Sequence, residues 1–198
     1  MTMPRDSLAE ISDDALLVLY ANGDPMAARV LTGRLLPMVL GYATRLTGDR
    51  AEAEDVAQEA MIRLWRIAPD WRQGEAKVTS WLYRVVTNLC TDRLRARRRR
   101  AADALDDVAE PASDAPGVEA EMIAADRMAA LQSALDSLPE RQRQAVVLRH
   151  IEGLANPEIA AIMEIGVEAV ESLTARGKRA LAAALAGRRE ELGYDETA

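Results

Sequence analysis

The amino-acid sequence predicts an all-α protein with two small helical domains joined by a flexible acidic linker. Apolar residues recur with helical spacing along most of the 198 residues, and no segment alternates convincingly with period two. The chain lacks Phe and is rich in Ala, which suits closely packed helices better than sheets. Residues 101–126 contain eight acidic residues, no basic residue and two prolines. Such a segment buries little apolar surface, so we expect the domain boundary there.

Capping residues and prolines predict the helices of the N-terminal domain. Ser12 or the following Asp begins a helix that runs through Tyr20. The Asp-Pro pair at 24–25 begins a second helix towards Leu46, which Pro37 should kink or divide.

Three further sequence signals predict the rest of the N-terminal domain. Asp49 caps an amphipathic helix over residues 50–67, and residues 68–76 read as a loop because they contain Pro and Gly. Thr79 or Ser80 then begins the helix that carries a basic tract. In the C-terminal part, the same signals predict helices over 118–138, 139–151, 156–163 and 167–187, with a turn at Gly166.

Composition excludes several classes of protein. No apolar run approaches the roughly 20 residues that a membrane span needs, and the first residues lack the apolar core of a signal peptide. One Cys, Cys90, permits no internal disulfide, and one His, His150, cannot form a metal cluster with it. No nucleophile–base pair is visible either. The sequence therefore predicts a cytoplasmic protein without membrane insertion, metal or other cofactor, and not an enzyme.

Positive charge is concentrated in residues 81–100, which contain seven Arg and one Asp in a chain whose net charge is −7. An acidic protein that gathers its cations in one place presents that place to a polyanion. On a helical wheel, Arg84, Asn88 and Arg95 lie within about 60° of Trp81. The opposite side carries an apolar stripe: Leu82, Val86, Cys90 and Leu94.

This arrangement favours nucleic acid as the polyanion. Amide groups read base edges, aromatic rings stack on exposed bases, and Arg binds phosphate. Trp71, Arg72 and Lys77 in the preceding loop can extend the same surface. The alternative is that Trp81 and Tyr83 are core aromatics and the Arg run is a solvated helix end.

Residues 157–184 have the layout of a helix-turn-helix: a short helix, a tight turn at 164–166, and a longer helix. The second helix of such a unit presents its first turns to the major groove of DNA. Arg176, Lys178 and Arg179 favour phosphate contacts, whereas Glu168 and Glu171 oppose them, although Glu can accept from cytosine N4. An ordinary three-helix bundle without a ligand gives the same pattern.

Two blocks of sequence resemble a known family. AEAEDVAQEAMIRLW (51–65) and TSWLYRVVTNLCTDRLRARRRR (79–100) are similar to the second conserved region of bacterial sigma factors. LPERQRQAVVLRHIEGLANPEIAAIM (138–163) is similar to the fourth region. The resemblance is to the compact extracytoplasmic-function (ECF) group, which has only these two regions. It implies region 2 over residues 1–100, an acidic linker over 101–117, and region 4 over 118–198.

The resemblance also implies roles for particular residues. The helix before the basic tract would dock on the clamp helices of core RNA polymerase through Asp55, Gln58, Glu59 and Arg63. The loop and helix around Trp81 would read the −10 promoter element and capture a base from the melted duplex. The residues implied there are Trp71, Arg72, Lys77, Trp81, Arg84, Asn88, Arg93, Arg95 and Arg97.

For the −35 element, the resemblance implies contacts from Glu168, Glu171, Ser172, Ala175, Arg176, Lys178 and Arg179. The sequence departs from the family here, since Glu171 and Leu173 stand where a basic residue is common and Gly177 stands where Ala is usual. Phosphate anchoring then shifts to Arg176, Lys178 and Arg179, or the −35 sequence is unusual, or Leu173 is a core residue.

The function implied is that of a subunit that directs polymerase to specific promoters and promotes −10 melting, restrained by an anti-sigma factor. The alternative is a mimic that sequesters an anti-sigma factor without engaging DNA; the intact Arg tract and the lack of room for a receiver domain oppose it. An ordinary helix-turn-helix repressor would leave the N-terminal half unexplained.

Overall fold

The computed structural model describes residue 8, residues 10–103 and residues 119–186 of the chain, and its secondary structure within these ranges is helical, without strands. The N-terminal domain contains α1 (Asp13–Ala21), α2 (Pro25–Thr47), α3 (Arg50–Ile67), a 3-10 turn (Ala68–Asp70) and α4 (Val78–Asp103). The C-terminal domain contains α5 (Glu119–Asp136), α6 (Glu140–Val146), a π-helical turn (Val147–Ile151), α7 (Asn156–Met163) and α8 (Val167–Ala186). The all-α prediction is confirmed, and most of the predicted linker lies outside the described residues.

The predicted N-caps of the first three helices are present. Ser12 Oγ accepts from the N–H of Ala15 at 3.3 Å, and Asp24 Oδ1 accepts from the N–H of Met26 at 2.8 Å. Asp49 Oδ1 accepts from the N–H of Glu52 at 3.0 Å. Each cap satisfies an amide that has no partner inside its helix, which is why these sequence signals locate helix starts well.

Two features of the helices differ from the prediction. Pro37 was expected to kink or divide α2, and the helix is not divided, since it runs unbroken from Pro25 to Thr47. Pro37 and the residue one turn earlier, Gly33, are both exposed, so water can solvate the carbonyl that Pro leaves without a donor. Helix α4 begins at Val78, not at Thr79 or Ser80, and the Val78 N–H donates to Asp14 Oδ1 at 3.2 Å. The cap of α4 therefore comes from α1, far away in sequence.

The core of the N-terminal domain lies between α2, α3 and α4. Leu31, Leu35 and Leu46 of α2 are buried there, together with Val56 and Leu64 of α3 and the stripe Leu82, Val86 and Cys90 of α4. Tyr42 is buried at its centre and shares a hydrogen bond of 2.8 Å with Thr87. Desolvation raises the pKa of the Tyr42 hydroxyl, so this group stays neutral and acts only as a hydrogen-bonding partner.

The two domains pack against each other. Helix α4 contacts α7, and α2 contacts both α5 and α6. The Tyr83 hydroxyl donates to Glu152 Oε2 at 2.6 Å, and Arg143 Nη1 donates to the carbonyl of Leu46 at 2.7 Å. The described ranges thus form one folded body that carries both predicted DNA-reading elements.

Candidate promoter-reading and polymerase-docking surfaces

Helix α4 presents the surface predicted to read the −10 element. Leu82, Val86 and Cys90 face the core, and Leu94 is 6% exposed, so the apolar stripe predicted by the helical wheel is confirmed. Trp81 is partly buried at the start of the opposite face. The polar residues one, two and four turns further along this face are exposed: Arg84, Asn88 and Arg95. This face is open to a ligand along about 20 Å of helix.

Trp71 and Trp81 form an aromatic pair at the beginning of this surface. Their ring centroids are 6.3 Å apart and their planes are inclined by 84°, an edge-to-face arrangement. The indole N–H of Trp71 donates to Asp14 Oδ1 at 3.2 Å, the same oxygen that caps α4. The loop before α4 is therefore anchored to α1, and Trp71 can offer a ligand its ring but not its N–H.

Three cations assigned to DNA by the resemblance are held in ion pairs. Lys77 Nζ lies 2.9 Å from Glu158 Oε1 in the C-terminal domain, and this contact raises the pKa of Lys77. Arg93 lies 3.2 Å from Asp55, and Arg72 lies 3.5 Å from Glu75. Each pair has at least one largely exposed partner, so each is weak and can be exchanged for phosphate. Arg97, like Arg84 and Arg95, is exposed.

Helix α3 carries the surface predicted to dock on polymerase. Val56, Met61 and Leu64 face the core, while Asp55, Gln58 and Arg63 are exposed. Arg63 Nε donates to Glu59 Oε1 at 2.8 Å, and this hydrogen bond lowers the pKa of Glu59. The exposed face is thus charged and polar, and the opposite face of α3 is buried in the core.

An apolar groove of about 460 Å³ adjoins this face, and the sequence did not indicate it. It lies between α2 and α3 and is lined chiefly by Leu36, Leu40, Met61, Ile62 and Trp65, with Gln58 at its polar side. Leu36 is 37% exposed, which is unusual for a leucine on the inner side of a helix pair. An open apolar groove beside a charged ridge is a shape that accepts an amphipathic helix.

Helices α7 and α8 form the predicted helix-turn-helix. Ile159, Ile162 and Val170 are buried between them, and Ile165 and Leu173 pack partly against the same core. The turn has its left-handed residue at Glu164, with φ 54°, and not at Gly166. Leu173 is accordingly a packing residue, which explains why no basic side chain stands there.

The outer face of α8 carries the residues predicted to read the −35 element. Glu168, Glu171, Ala175, Lys178 and Arg179 are exposed. Arg176 is exposed and donates two hydrogen bonds to the half-buried Ser172 Oγ. This face therefore presents two carboxylates in its first turns and three cations further along.

The structure also accounts for Gly177, which stands where the resemblance led us to expect Ala. Gly177 is buried against α6, and a Cβ added there would lie 2.5 Å from Val146 Cγ2 and 3.1 Å from the carbonyl oxygen of Gln142. A side chain at this position would push α8 away from α6. The Gly at this position is thus accounted for by the close packing of α8 on α6.

Cys90 and His150 have no place in these surfaces. Cys90 is fully buried, and desolvation raises the pKa of its thiol to about 12, so it is a small core residue. His150 is exposed on the π-helical turn, and partial desolvation together with the charges of Lys178 and Arg149 lowers its pKa.

A helix that crosses a bilayer must be both long enough and apolar enough. In the part of the chain that the structure describes, no helix meets both requirements.

Comparisons with known proteins agree with this geometry. Sigma-70 region 2 matches residues 31–100, which contain α3, the groove and most of α4. Sigma-70 region 4 matches residues 128–181, which contain α7 and most of α8. The RNA polymerase sigma-H factor of Pseudomonas aeruginosa is 33% identical over 187 residues, covering 90% of this chain and 96% of that protein. The ECF RNA polymerase sigma-E factor of Haemophilus influenzae is 32% identical over 177 residues, covering 85% of this chain and 93% of that protein.

Solved structures show the same fold. The complex of CnrH with the cytosolic domain of CnrY matches with a TM-score of 0.65 and 26% identity, over 88% of this chain and 97% of that chain. The sigma factor RpoE in complex with the anti-sigma factor NepR from Bartonella quintana matches with a TM-score of 0.62 and 21% identity, over 78% of this chain and 94% of that chain. Both conserved regions occur in the order and positions that the sequence blocks indicated. The chain therefore belongs to the sigma-70 family of RNA polymerase sigma factors, in its extracytoplasmic-function group.

Proposed function

We propose that this sigma factor docks on core RNA polymerase through α3, reads the −35 element with α8, and opens the −10 element with the exposed face of α4. The observation that carries the proposal is the joint exposure of Arg84, Asn88 and Arg95 on a helix that is packed on its other side. The bond-forming chemistry belongs to polymerase, so we assign no catalytic residue to this chain.

Polymerase docking is assigned to the ridge of Asp55, Gln58, Glu59 and Arg63 together with the adjacent apolar groove. A polar ridge supplies register and specificity, whereas the groove supplies the apolar burial that gives affinity. Asp55→Ala with Gln58→Ala is expected to weaken binding to core polymerase by at least about fivefold, as loss of about 1 kcal/mol implies. Arg50→Ala is the matched control, because Arg50 is exposed on the same helix outside the ridge.

Opening of the −10 element follows from the energetics of an extruded base. Unstacking a base costs a few kcal/mol, and stacking on an aromatic ring returns about 1–3 kcal/mol. The Trp71–Trp81 pair offers the ring surface, and the Asn88 amide offers both a donor and an acceptor to a base edge. Arg84, Arg95 and Arg97 would neutralise the backbone of the open strand. Binding energy thereby offsets the cost of melting.

Recognition of the −35 element is assigned to α8. Lys178, Arg179 and Arg176 would hold phosphates, and Glu168 and Glu171 would accept from cytosine N4 groups in the major groove. Carboxylates near the start of a recognition helix reduce affinity for DNA in general, so the specificity of this helix should depend strongly on the bases they meet.

Regulation by an anti-sigma factor is part of the proposal. RpoE is complexed with the anti-sigma factor NepR in the solved structure described above, and that protein shares the fold of this chain. The groove between α2 and α3 is open in this chain and suits an amphipathic segment of such a partner. Pull-down from host cells that recovers polymerase but no inhibitor of this kind would oppose this part of the proposal.

Comparison of two variants in promoter-dependent run-off transcription tests the proposal. Asn88→Ala should impair permanganate-detected opening of the −10 element while leaving the affinity for core polymerase unchanged. Glu171→Lys should instead change the preferred −35 sequence. Equal loss of polymerase binding in both variants would show that the reading surfaces are misassigned. If this chain binds an anti-sigma factor but supports no promoter-dependent transcription, that result would favour the alternative of a sigma mimic that does not engage DNA.

A further inference from the structure

We infer that Asp14 of α1 is a positioning residue for opening of the −10 element, because its carboxylate holds both ends of the loop at residues 71–77 (the −10 loop). The inference rests on the proposed function for the use of the Trp71 ring, which is to stack on an extruded base. The anchoring itself is a matter of contacts within the N-terminal domain. Helix α1 precedes the segment that matches Sigma-70 region 2, since that match begins at residue 31.

One oxygen of Asp14 accepts two hydrogen bonds from opposite ends of the −10 loop. Its Oδ1 accepts from the Trp71 indole N–H at 3.2 Å and from the Val78 backbone N–H at 3.2 Å. The first bond orients the ring at the start of the loop, and the second fixes the first residue of α4. The atom that orients this ring therefore also caps the helix that carries Arg84 and Asn88.

The remainder of the −10 loop does little to orient this ring. Residues 72–77 are all exposed. Their ion pairs either stay within the loop or join it to the C-terminal domain, and neither pair involves the ring. Trp71 meets Trp81 edge to face, with the ring centroids 6.3 Å apart. The orientation of Trp71 therefore depends on Asp14 together with this ring contact.

Helix α1 is a firm support for this anchor. Two of its leucines are fully buried in the core. Arg34 of α2 donates to the carbonyls of Leu8 and Ile11, at 3.1 and 2.7 Å. The same guanidinium donates to Asp13 Oδ1 at 2.9 Å. The start of α1 is thus tied to α2 through backbone and side chain, so Asp14 projects from a fixed base.

A fixed ring is better suited to base capture than a rotating one. A Trp side chain that rotates freely loses that freedom when a base stacks on it, which weakens the binding. In this structure the Asp14 contact restricts the Trp71 ring before DNA arrives. More of the stacking energy is then left to offset the unstacking of the promoter.

Two properties of Asp14 can affect the −10 loop: its hydrogen bonds and its charge. The charge contributes, after the hydrogen bond and charge of Glu158, to the raised pKa of Lys77. Asp14→Asn separates the two properties, because an amide oxygen keeps the acceptor but removes the charge. If positioning by hydrogen bonds is the role, Asp14→Asn should behave like wild type and Asp14→Ala should not.

The anchor is tested without polymerase or DNA by hydrogen exchange of the Trp71 indole proton, followed by NMR on the full chain. Trp71→Phe assigns the signal. Exchange should be at least about tenfold faster in Asp14→Ala and remain slow in Asp14→Asn. Asp13→Ala is the matched control: it removes the neighbouring carboxylate, while Arg34 keeps both carbonyl partners. Unchanged exchange in Asp14→Ala, or equal acceleration in Asp13→Ala, would overturn the anchor.

The positioning role is tested with holoenzyme on a promoter obtained by run-off transcription. Single abasic sites are placed along the non-template strand of its −10 element, and opening is detected by permanganate. In wild type, one position should carry the largest penalty, because its base is the one captured. Asp14→Ala should reduce that penalty by at least about fivefold and leave the others unchanged, as loss of a hydrogen bond implies. Asp14→Asn and Asp13→Ala should keep the wild-type profile.

The abasic profile separates positioning from a loss of stability. A variant that is only less stable would open every template less well by the same factor, so its penalties would equal those of wild type and overturn the inference. A reduced penalty in Asp14→Asn would overturn the role of the hydrogen bonds. Should Asp14→Ala not fold, Trp71→Phe, which keeps a ring without the N–H, must reduce the same penalty, and an unchanged value would overturn the inference. If wild type shows no such position, the proposed base capture fails while the exchange result stands.

Discussion

Replacement of Gly177 by Ala separates the helical preference of α8 from its packing on α6. Inside a helix, Ala is favoured over Gly by about 1 kcal/mol, so local preference alone predicts stabilisation. In the structure, however, the new Cβ would lie 2.5 Å from Val146 Cγ2, 3.1 Å from the Gln142 carbonyl oxygen and 3.3 Å from Gln142 Cβ. Ordinary carbon contacts lie at about 3.5–4.0 Å, so α8 would have to move by about 1 Å.

Relief of this overlap is costly because neither neighbour can move freely. Val146 is buried and β-branched, with a stiff side chain, and the Gln142 oxygen belongs to the backbone of α6. Overpacking of this kind costs about 1–3 kcal/mol, and we place Gly177→Ala at the upper end. After the gain in helical preference, the expected net loss in the free energy of unfolding is about 1–2 kcal/mol.

Urea unfolding followed by far-ultraviolet circular dichroism measures this loss. Gly33→Ala is the matched control, since Gly33 lies inside α2 and a Cβ there would meet nothing within 4 Å. It should stabilise the protein by about 1 kcal/mol. Val146→Ala should relieve the overlap, giving a coupling of at least about 1 kcal/mol with Gly177→Ala. Equal stabilisation by the two Gly→Ala variants, or the absence of coupling, would refute the packing argument.

Three further predictions concern stability and reactivity. Glu164→Gly should raise the free energy of unfolding by about 1 kcal/mol, because φ is 54° at this position and Gly adopts it without strain; a loss in the same urea assay would contradict this. Asp14→Ala should lower the free energy of unfolding by about 1–2 kcal/mol and shift tryptophan emission, because one Asp14 carboxylate oxygen accepts from both the Trp71 indole and the Val78 amide. Since the pKa of Cys90 is raised to about 12 and its side chain is buried, its reaction with a disulfide reagent at pH 8 should be at least about 100-fold slower in native protein than in urea. Rapid reaction of the native thiol would show that α4 opens locally.

The features predicted correctly from the sequence depend on residues close together in the chain. Ser12, Asp24 and Asp49 each accept a hydrogen bond from an amide two or three residues later, so local sequence suffices to locate these helix starts. The apolar stripe of α4 is likewise a consequence of helical period. The order of regions 2 and 4 was predicted from the family resemblance, because hydrophobic periodicity indicates helices but not which conserved region they form.

Features that join distant residues were not predictable in this way. Asp14 caps α4 from 64 residues away, and Glu152 meets Tyr83 across 69 residues. Neither residue stands out in the sequence, because a carboxylate near a helix end is ordinary. The apolar groove likewise forms only where α2 and α3 come together. Gly177 was recognisable as a departure, but its reason lies in Val146 on another helix.

Helix α4 is engaged on three sides over most of its length. One side is in the core, a second carries Tyr83 and Thr91 towards the C-terminal domain, and a third carries the exposed Arg84 and Asn88. Few positions before residue 97 are therefore free to vary without affecting the core, the contact with the C-terminal domain or the proposed promoter-reading face. In a library of all single substitutions, we expect α4 to be the least tolerant segment of the chain, with sensitivity decreasing along the arginines at its end.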